Sequence, residues 1–309
     1  MESVAATNKE AAEAWSGPLF DRFVEFRPLV AEGLGAHGEV AMAAHPPRPG
    51  DRVLDVGCGF GDTTQRLAAL VGRDGEAVGL DVSEPFIEQA RREAEGVENV
   101  RFACADLQVA ELESGFDYAF SRMGIMFFAN PVQAFRNIRE ALSPGATFCA
   151  VVWRRKLDND WMHRAEQVVE GYLDHPEESD EPTCGPGPFS MANADTVSEQ
   201  LKIAGFEQIS LQRCDLPIKI GDDLEHAVEF NMALGPAGEV LRLWEDRVDE
   251  IRPTIARDLR EALAEFDGPD GVIAPASTWI ISATAPVSGA SDFDHTLGGS
   301  KSDTPQNRA

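Results

Sequence analysis

The sequence predicts an α/β protein built on a mostly parallel β-sheet. Between residues 52 and 153, five short apolar segments alternate with segments of helical pattern, which is the order that βαβ units require. A glycine-rich turn follows the first apolar segment directly, and aspartates stand at or next to the ends of the first three. Because the carboxyl ends of parallel strands share one edge of the sheet, these features indicate a ligand site there.

Composition and charge exclude several other classes of protein. The 309 residues are 43% hydrophobic, which suits a chain with a real core and argues against disorder. No apolar run approaches the ~18 residues that a membrane span needs, and the polar N-terminus lacks the pattern of a signal peptide. We therefore expect a cytoplasmic protein without membrane insertion. The formal charge of −26 argues against a nucleic-acid partner.

The cysteines predict neither a disulfide framework nor a metal site. They are widely spaced, odd in number, and contain no C-x-x-C pair. A reducing compartment fits this pattern. We expect no metal ion, since no further group of ligating residues is evident. The five positions are Cys58, Cys104, Cys149, Cys184 and Cys214.

The first half of the chain predicts regular alternation of strands and helices. Apolar segments indicate strands over residues 52–56, 76–81, 100–104, 116–120 and 146–153. The intervening helices are expected to begin at Asp62, at Ser83 and at Asn130-Pro131, where cap residues stand. Ser143-Pro144-Gly145 is expected to end the third of them.

The flanking regions are less regular. Residues 19–44 have a helical pattern that the cluster Pro46 to Gly50 must end. After Trp153 the sequence predicts a sixth strand, a terminal strand or hairpin, and further helices. The expected ranges are helix 159–173, loop 174–190, helix 193–204, strand 206–220, one or two helices in 222–265, and a strand or hairpin in 272–283.

One segment carries most of the chemical information. The first strand runs directly into Gly57-Cys58-Gly59-Phe60-Gly61, followed by a helix. Glycines let the main chain turn sharply and approach a ligand, and the helix N-terminus presents free N–H groups. Asp62 stands where the third glycine of G-x-G-x-x-G would be, so its charge disfavours a dinucleotide pyrophosphate. A ligand that carries a positive charge and no phosphate fits better.

Two further aspartates complete the pattern. Asp81 ends the second strand, where a carboxylate can accept hydrogen bonds from both hydroxyls of a ribose. Asp106 follows the third strand, where a carboxylate can accept from an amino group on a base edge, with Leu107 against the face of the base. The sequence therefore indicates a nucleoside-containing ligand.

With Asp55, the glycine loop, Asp81 and Asp106 at successive strand ends, residues 19–153 resemble a class I S-adenosylmethionine-dependent methyltransferase. The resemblance is to the ubiquinone/menaquinone-methyltransferase-like group of small-molecule enzymes, and it extends weakly over 193–284. It implies a Rossmann-like, doubly wound, seven-stranded sheet whose last strand is antiparallel, with helical lid insertions. It also implies S-adenosylmethionine as the methyl donor and S-adenosylhomocysteine as the product.

The resemblance implies roles for particular residues. Asp55 and the loop would hold the methionine part of the donor, Asp81 the ribose, and Asp106 with Leu107 the adenine. The carbonyl of Ser121 would lie beside the methionine ammonium. The expected cofactor-binding set is Asp55, Gly57, Cys58, Gly59, Gly61, Asp81, Val82, Asp106, Leu107 and Ser121.

The acceptor side is defined less sharply. The candidate acceptor-binding residues are Trp15 and Phe20 in an N-terminal lid, Met123 after the fourth strand, and Trp153 after the fifth. His163 is a candidate base, and the basic run 154–156 is either a grip for an acidic substrate or an exposed turn. The acceptor is expected to be small and lipophilic or aromatic. Acidic helical faces leave a homodimer contact open.

The expected domain organisation has three parts. Residues 1–50 form an N-terminal helical cover, residues 51–284 the methyltransferase domain with insertions at about 157–190 and 221–265, and residues 285–309 a disordered tail. Three other functions stay open. They are an NAD-dependent Rossmann oxidoreductase, a non-catalytic protein that binds S-adenosylmethionine, and an enzyme of this fold with other chemistry.

Overall fold

The computed structural model describes residues 8–173, 186–244 and 248–287. Cys184 and most of the expected tail lie outside these ranges. The strands are β1 Arg52–Val56, β2 Glu76–Asp81, β3 Val100–Cys104, β4 Phe116–Arg122, β5 Leu142–Trp153, β6 Glu207–Gly221, β7 Asp267–Gly268 and β8 Gly271–Thr284. The helices are α1 Lys9–Ser16, α2 Pro18–Glu25, α3 Arg27–Ala44, α4 Asp62–Val71, α5 Glu84–Glu93, α6 Pro131–Ala141, α7 Asp160–Glu170, α8 Ala194–Ala204, α9 Leu224–Ala233, α10 Gly235–Trp244 and α11 Arg252–Leu263.

The strands form one sheet in the order β3-β2-β1-β4-β5-β8-β6. Strands β3, β2, β1, β4 and β5 are parallel, while β8 pairs antiparallel with both β5 and β6. The predicted fold class and the antiparallel last strand are confirmed. The expected number of strands was one too low, because the two-residue β7 pairs with the start of β8.

The sheet is the centre of the core. Val53 and Leu54 of β1 and Phe120 of β4 are fully buried, as strands covered on both faces must be. Helices α4 and α5 contact β1, β2 and β3, and α6 and α8 contact each other beside β5 and β6. The continuous apolar segments in the sequence therefore reflect burial on both sides of the sheet.

Two of the expected helix caps differ in the structure. Gly61, in the left-handed conformation at φ 78°, occupies the N-cap position of α4, and Asp62 is the first helical residue. Ser83 does precede α5, but its hydroxyl donates to the carbonyl of Trp15 rather than capping the helix. Asn130 caps α6 as predicted, since its side chain accepts from Gln133 N at 3.1 Å.

The second half of the chain contains two corrections. The described part of residues 222–265 contains three helices rather than one or two, and α9 is separated from α10 at Gly235, where φ is 77°. The expected last strand or hairpin is one continuous strand, β8, which pairs with β6 through Pro217 opposite Pro275. Helices α7, α9, α10 and α11 pack together beyond β5. None of the helices in the described residues is long and apolar enough to cross a membrane.

Candidate functional site

The glycine loop between β1 and α4 is fixed by close contacts between main-chain segments. Gly57, Gly59 and Gly61 all have positive φ, at 68°, 53° and 78°. A Cβ on Gly57 would lie 2.8 Å from Gly124 Cα, and one on Gly61 would lie 2.7 Å from the ring of Phe102. Side chains are therefore excluded at these positions by both conformation and space. The loop presents bare main chain at the carboxyl edge of the sheet.

Asp55, the fourth residue of β1, lies below this loop and is 1% exposed. The hydroxyl of Thr64 donates to its Oδ2 at 2.6 Å. Burial raises the pKa of this carboxyl to about 7, and the Thr64 hydrogen bond and the charge of Arg122 oppose that shift. Asp55 is thus a buried carboxyl group whose pKa lies close to neutral pH. A positive charge nearby would favour its ionised form.

Asp81 connects the loop to the start of the next helix. Its Oδ2 accepts from Gly59 N at 2.9 Å, and its Oδ1 accepts from Ser83 N at 3.0 Å. Burial raises the pKa of the carboxyl, and these main-chain donors lower it. Each oxygen keeps acceptor capacity, because a carboxylate has about four acceptor sites.

Asp106 lies beyond the end of β3. Its Oδ1 accepts from the main-chain and side-chain nitrogens of Gln108, at 3.0 and 3.2 Å. Leu107 beside it is 3% exposed, and its carbonyl accepts from Asn137 at 2.9 Å. The two residues are held in a firm turn that faces the same space as Asp81.

Arg122, the last residue of β4, brings a positive charge to this end of the site. Its side chain packs against α3, where a Cβ on Gly38 would lie 3.4 Å from Arg122 Cδ. Asp55, Asp62 and Glu39 act on it electrostatically, and burial lowers the pKa of its guanidinium. Within the part of the chain that the structure describes, the guanidinium makes no hydrogen bond or ion pair. It is therefore a partly buried cation whose N–H groups can still donate hydrogen bonds.

The N-terminal helices cover the glycine loop with aromatic side chains. Trp15 contacts Phe23 and Phe127, with ring centroids 5.4 and 4.8 Å apart. Phe20 packs against Phe86 at 5.0 Å. The hydroxyl of Ser83 donates to Trp15 O at 3.1 Å, which ties α1 to the start of α5. The predicted lid segment thus lies closed over the carboxyl ends of the strands.

These groups surround a cavity of about 800 Å³. It also extends along the end of β5 and helices α7, α9 and α10. The sequence-predicted residues that line it are Trp15, Asp55, Gly57, Cys58, Gly59, Asp81, Val82, Asp106, Leu107, Met123 and Trp153. The structure thus brings eleven of the fifteen candidates to one cavity.

Four candidates do not line the cavity. Gly61 packs against Phe102, and Phe20 lies behind the lid against Phe60 and Phe86. The hydroxyl of Ser121 donates to Val56 O at 2.7 Å, so this residue joins β4 to β1.

His163 is the candidate base that the structure does not place at the site. The buried residues of α7 are Trp161, Met162, Ala165, Glu166 and Val169, which share one helical face. His163 is not on that face and does not line the cavity. Its Nδ1 atom is buried and has no hydrogen-bond partner in the described residues.

The basic run after β5 separates into three environments. Arg154 is buried over the ring of Trp279, with 4.4 Å from its guanidinium carbon to the ring centroid. Arg155 is exposed and pairs with Asp158 at 2.9 Å. Lys156 lines the cavity and forms an ion pair with Glu166 of α7. The sequence left two interpretations of this run open, a grip on an acidic substrate or an exposed turn. Neither describes all three residues.

Sequence reasoning missed four charged residues that line the cavity, namely Arg27, Arg122, Glu166 and Glu239. Arg122 ends an apolar strand, and its charge is the signal that could have identified it. Glu166 could have been found as an acid at an apolar-face position of an amphipathic helix. No group of three or more His, Cys, Asp or Glu side chains in residues 8–173, 186–244 and 248–287 is arranged to hold a metal ion.

Comparison of sequences finds one family match and several related proteins. Residues 47–179 match the family model of a methyltransferase domain. Juvenile hormone acid O-methyltransferase of Bombyx mori is 25% identical over 224 residues, which are 66% of this chain and 74% of that protein. Demethylmenaquinone methyltransferase of Staphylococcus aureus is 33% identical over 99 residues, 32% of this chain and 41% of that protein. An uncharacterized transposon protein of Streptomyces fradiae is 35% identical over 111 residues, 36% of this chain and 32% of that protein.

Solved structures show the same fold. YcgJ of Bacillus subtilis superposes with a TM-score of 0.51 at 18% identity, covering 82% of this chain and 97% of that one. Phosphoethanolamine N-methyltransferase 2 of Haemonchus contortus, in complex with S-adenosyl-L-methionine, superposes with a TM-score of 0.53 at 16% identity. The superposition covers 92% of this chain and 61% of that one. The matched segment spans about a third of the transposon protein and 41% of the staphylococcal enzyme, so those likenesses concern the domain rather than the whole relatives.

Proposed function

Residues 47–179 match a methyltransferase domain, and on that premise we propose that the chain transfers a methyl group from S-adenosylmethionine to a small lipophilic or aromatic acceptor. One observation carries the proposal. The glycine loop and the carboxylates of Asp55, Asp81 and Asp106, from three successive strand ends, line a single cavity beneath an aromatic lid.

The residues present fit the proposed donor group by group. The free acceptor sites of Asp81 suit the ribose hydroxyls, and Asp106 with Leu107 suits the adenine. Asp55 suits the ammonium of the methionine part, because a positive charge there relieves the cost of a buried carboxylate. The unpaired N–H donors of Arg122 suit the carboxylate of the methionine part, since a guanidinium and a carboxylate can form two parallel hydrogen bonds.

S-adenosylmethionine, when bound, supplies a methyl group already activated by a positively charged sulfur. The chain then has to hold an acceptor in line with that group and exclude water. The lid built around Trp15 and the apolar wall near Trp153 serve those two tasks.

The acceptor is proposed to be lipophilic because the cavity wall beyond the glycine loop is mostly apolar. Trp153, Trp161, Met162 and Phe230 line it. Two relatives act, by their names, on juvenile hormone acid and demethylmenaquinone, which supports an organic small molecule as the acceptor. We also propose that the protein is cytoplasmic. Its chain would consist of a helical cover, a catalytic domain and a tail.

An NAD-dependent oxidoreductase is the alternative to be tested. Asp62 pairs with Arg27 at 2.6 Å, so its charge is partly compensated and disfavours a pyrophosphate less than the sequence indicates. The cavity lining still favours S-adenosylmethionine, because Asp55 and Arg122 lie beside the glycine loop and suit an ammonium and a carboxylate.

Calorimetric titration of the purified protein tests the two ligands against each other. S-adenosylhomocysteine is expected to bind with micromolar affinity and one site per chain, and NAD is expected to give no heat of binding. Binding of NAD alone, or of neither ligand, would contradict the proposed function.

A further inference from the structure

One ion pair interrupts the apolar wall on the acceptor side of the cavity. Lys156, just after β5, pairs with Glu166 on the buried face of α7. The Glu166 side chain is 6% exposed and that of Lys156 is 35% exposed. Trp153, Trp161 and Phe189 line the cavity around them. A carboxylate in such surroundings is costly unless it is paired, which explains the lysine.

Glu166 has one carboxylate oxygen without a partner in the described residues, whereas both oxygens of Glu239, which also lines the cavity, accept hydrogen bonds. Arg242 donates to both oxygens of Glu239, each at 2.9 Å, so that carboxylate is held from both sides. Lys156 pairs with Oε2 of Glu166, and no other hydrogen bond or ion pair of this carboxylate occurs in the described ranges. Oε1 is thus open to a donor that enters the cavity.

Resting on the function proposed above, we propose that the acceptor is a neutral lipophilic molecule whose hydroxyl group, a phenol or an enol, binds at Glu166. The carboxylate then serves as the general base of the methyl transfer. Lys156 is a positioning residue whose ion pair fixes the orientation of the carboxylate.

The step balances in atoms and charge. The acceptor oxygen forms a bond to the methyl carbon while the bond from that carbon to sulfur breaks. The sulfonium leaves as a neutral thioether, and the hydroxyl proton passes to Oε1 of Glu166 and later to solvent. No oxidant or reductant is required.

The charge of the wall favours a neutral hydroxyl over the two obvious alternatives. The Lys156–Glu166 pair has no net charge, so a neutral acceptor leaves it undisturbed. A carboxylic acid, ionised at neutral pH, would be repelled by the carboxylate of Glu166 and would need no base. A protonated amine would bring a second cation beside Lys156.

Three matched acceptors test the proposed class. With S-adenosylmethionine as donor, 1-naphthol is expected to be methylated at least ten times faster than 1-naphthoic acid or 1-naphthylmethylamine, whose alkyl amino group is protonated at neutral pH. Faster transfer to the acid or the amine would overturn the proposal. So would transfer to none of the three by a protein that binds S-adenosylhomocysteine. If that ligand does not bind at all, the proposed function fails first, and the titration shows it.

Variants test the role of the carboxylate itself. Glu166→Gln is expected to lower kcat with 1-naphthol about 100- to 1000-fold, with little change in KM or in S-adenosylhomocysteine affinity. Glu170→Gln, at the exposed last residue of α7, is the matched control and should retain full activity. The double variant Lys156→Met/Glu166→Gln, which leaves no unpaired charge, should be equally slow. A Glu166→Gln enzyme of wild-type kcat would contradict the assignment.

Discussion

Replacing Arg122 by methionine is expected to weaken the binding of S-adenosylhomocysteine about 100-fold, because one charge-assisted interaction with a buried partner contributes about 1.5–3 kcal/mol. The guanidinium lines the cavity at the end of β4 and makes no hydrogen bond within the described residues. In the proposed complex it binds the carboxylate of the methionine part. Arg122→Lys should recover part of the affinity, since lysine keeps the charge but not the bidentate geometry.

A truncated ligand separates this role from a structural one. 5′-Methylthioadenosine keeps the adenine and ribose but lacks the amino-acid carboxylate, so Arg122→Met should leave its affinity unchanged. Arg66→Met is the control for charge, because Arg66 pairs with Glu39 near the same helix and does not line the cavity. Equal losses for both ligands would show that Arg122 shapes the cavity and does not bind the carboxylate.

Asp55→Asn is expected to make the unliganded protein more stable at pH 8 and not at pH 4. Burial raises the pKa of Asp55 to about 7 from an ordinary value of 3.8. The folded state therefore binds an extra proton between about pH 4 and 7, and this contribution to the free energy of unfolding falls as pH rises through that window. At about 1.4 kcal/mol per pKa unit, the gain at pH 8 is at most about 4 kcal/mol.

Denaturant unfolding at the two pH values measures this effect. Asp74 is an exposed aspartate in the turn before β2. The control variant Asp74→Asn should leave the free energy of unfolding unchanged at both pH values. An Asp55→Asn protein less stable than the wild type at pH 8 would mean that attraction to Arg122 outweighs burial. The variant should also bind S-adenosylhomocysteine more weakly, so that the gain in stability comes with a loss of function.

The sheet and the donor end of the site were predictable from sequence because local patterns encode them. Short apolar segments alternating with capped helices specify a parallel sheet, and the glycines at 57, 59 and 61 are needed where φ is positive. The location of Asp81 and Asp106 could be predicted from their positions in the sequence alone, since the carboxyl ends of parallel strands meet at one edge of the sheet.

The acceptor end could not be predicted in the same way, because its residues come from elements far apart in the chain. Lys156 and Glu166 meet only once α7 packs beyond β5, and nothing local in a basic run distinguishes its cavity-facing member from its exposed neighbour. His163 was favoured for its chemistry alone, and the position of the residue on α7 decides against it. Ser121 and Phe20 are near the site but face the neighbouring strand and the back of the lid.

The most direct test of the central claim is a crystal structure of the protein with S-adenosylhomocysteine. The ligand is expected in the cavity beneath Trp15, with its ribose hydroxyls on Asp81, its adenine beside Asp106 and Leu107, and its carboxylate on Arg122. Adenine at the Arg122 end, or a ligand outside the cavity, would contradict the proposed site.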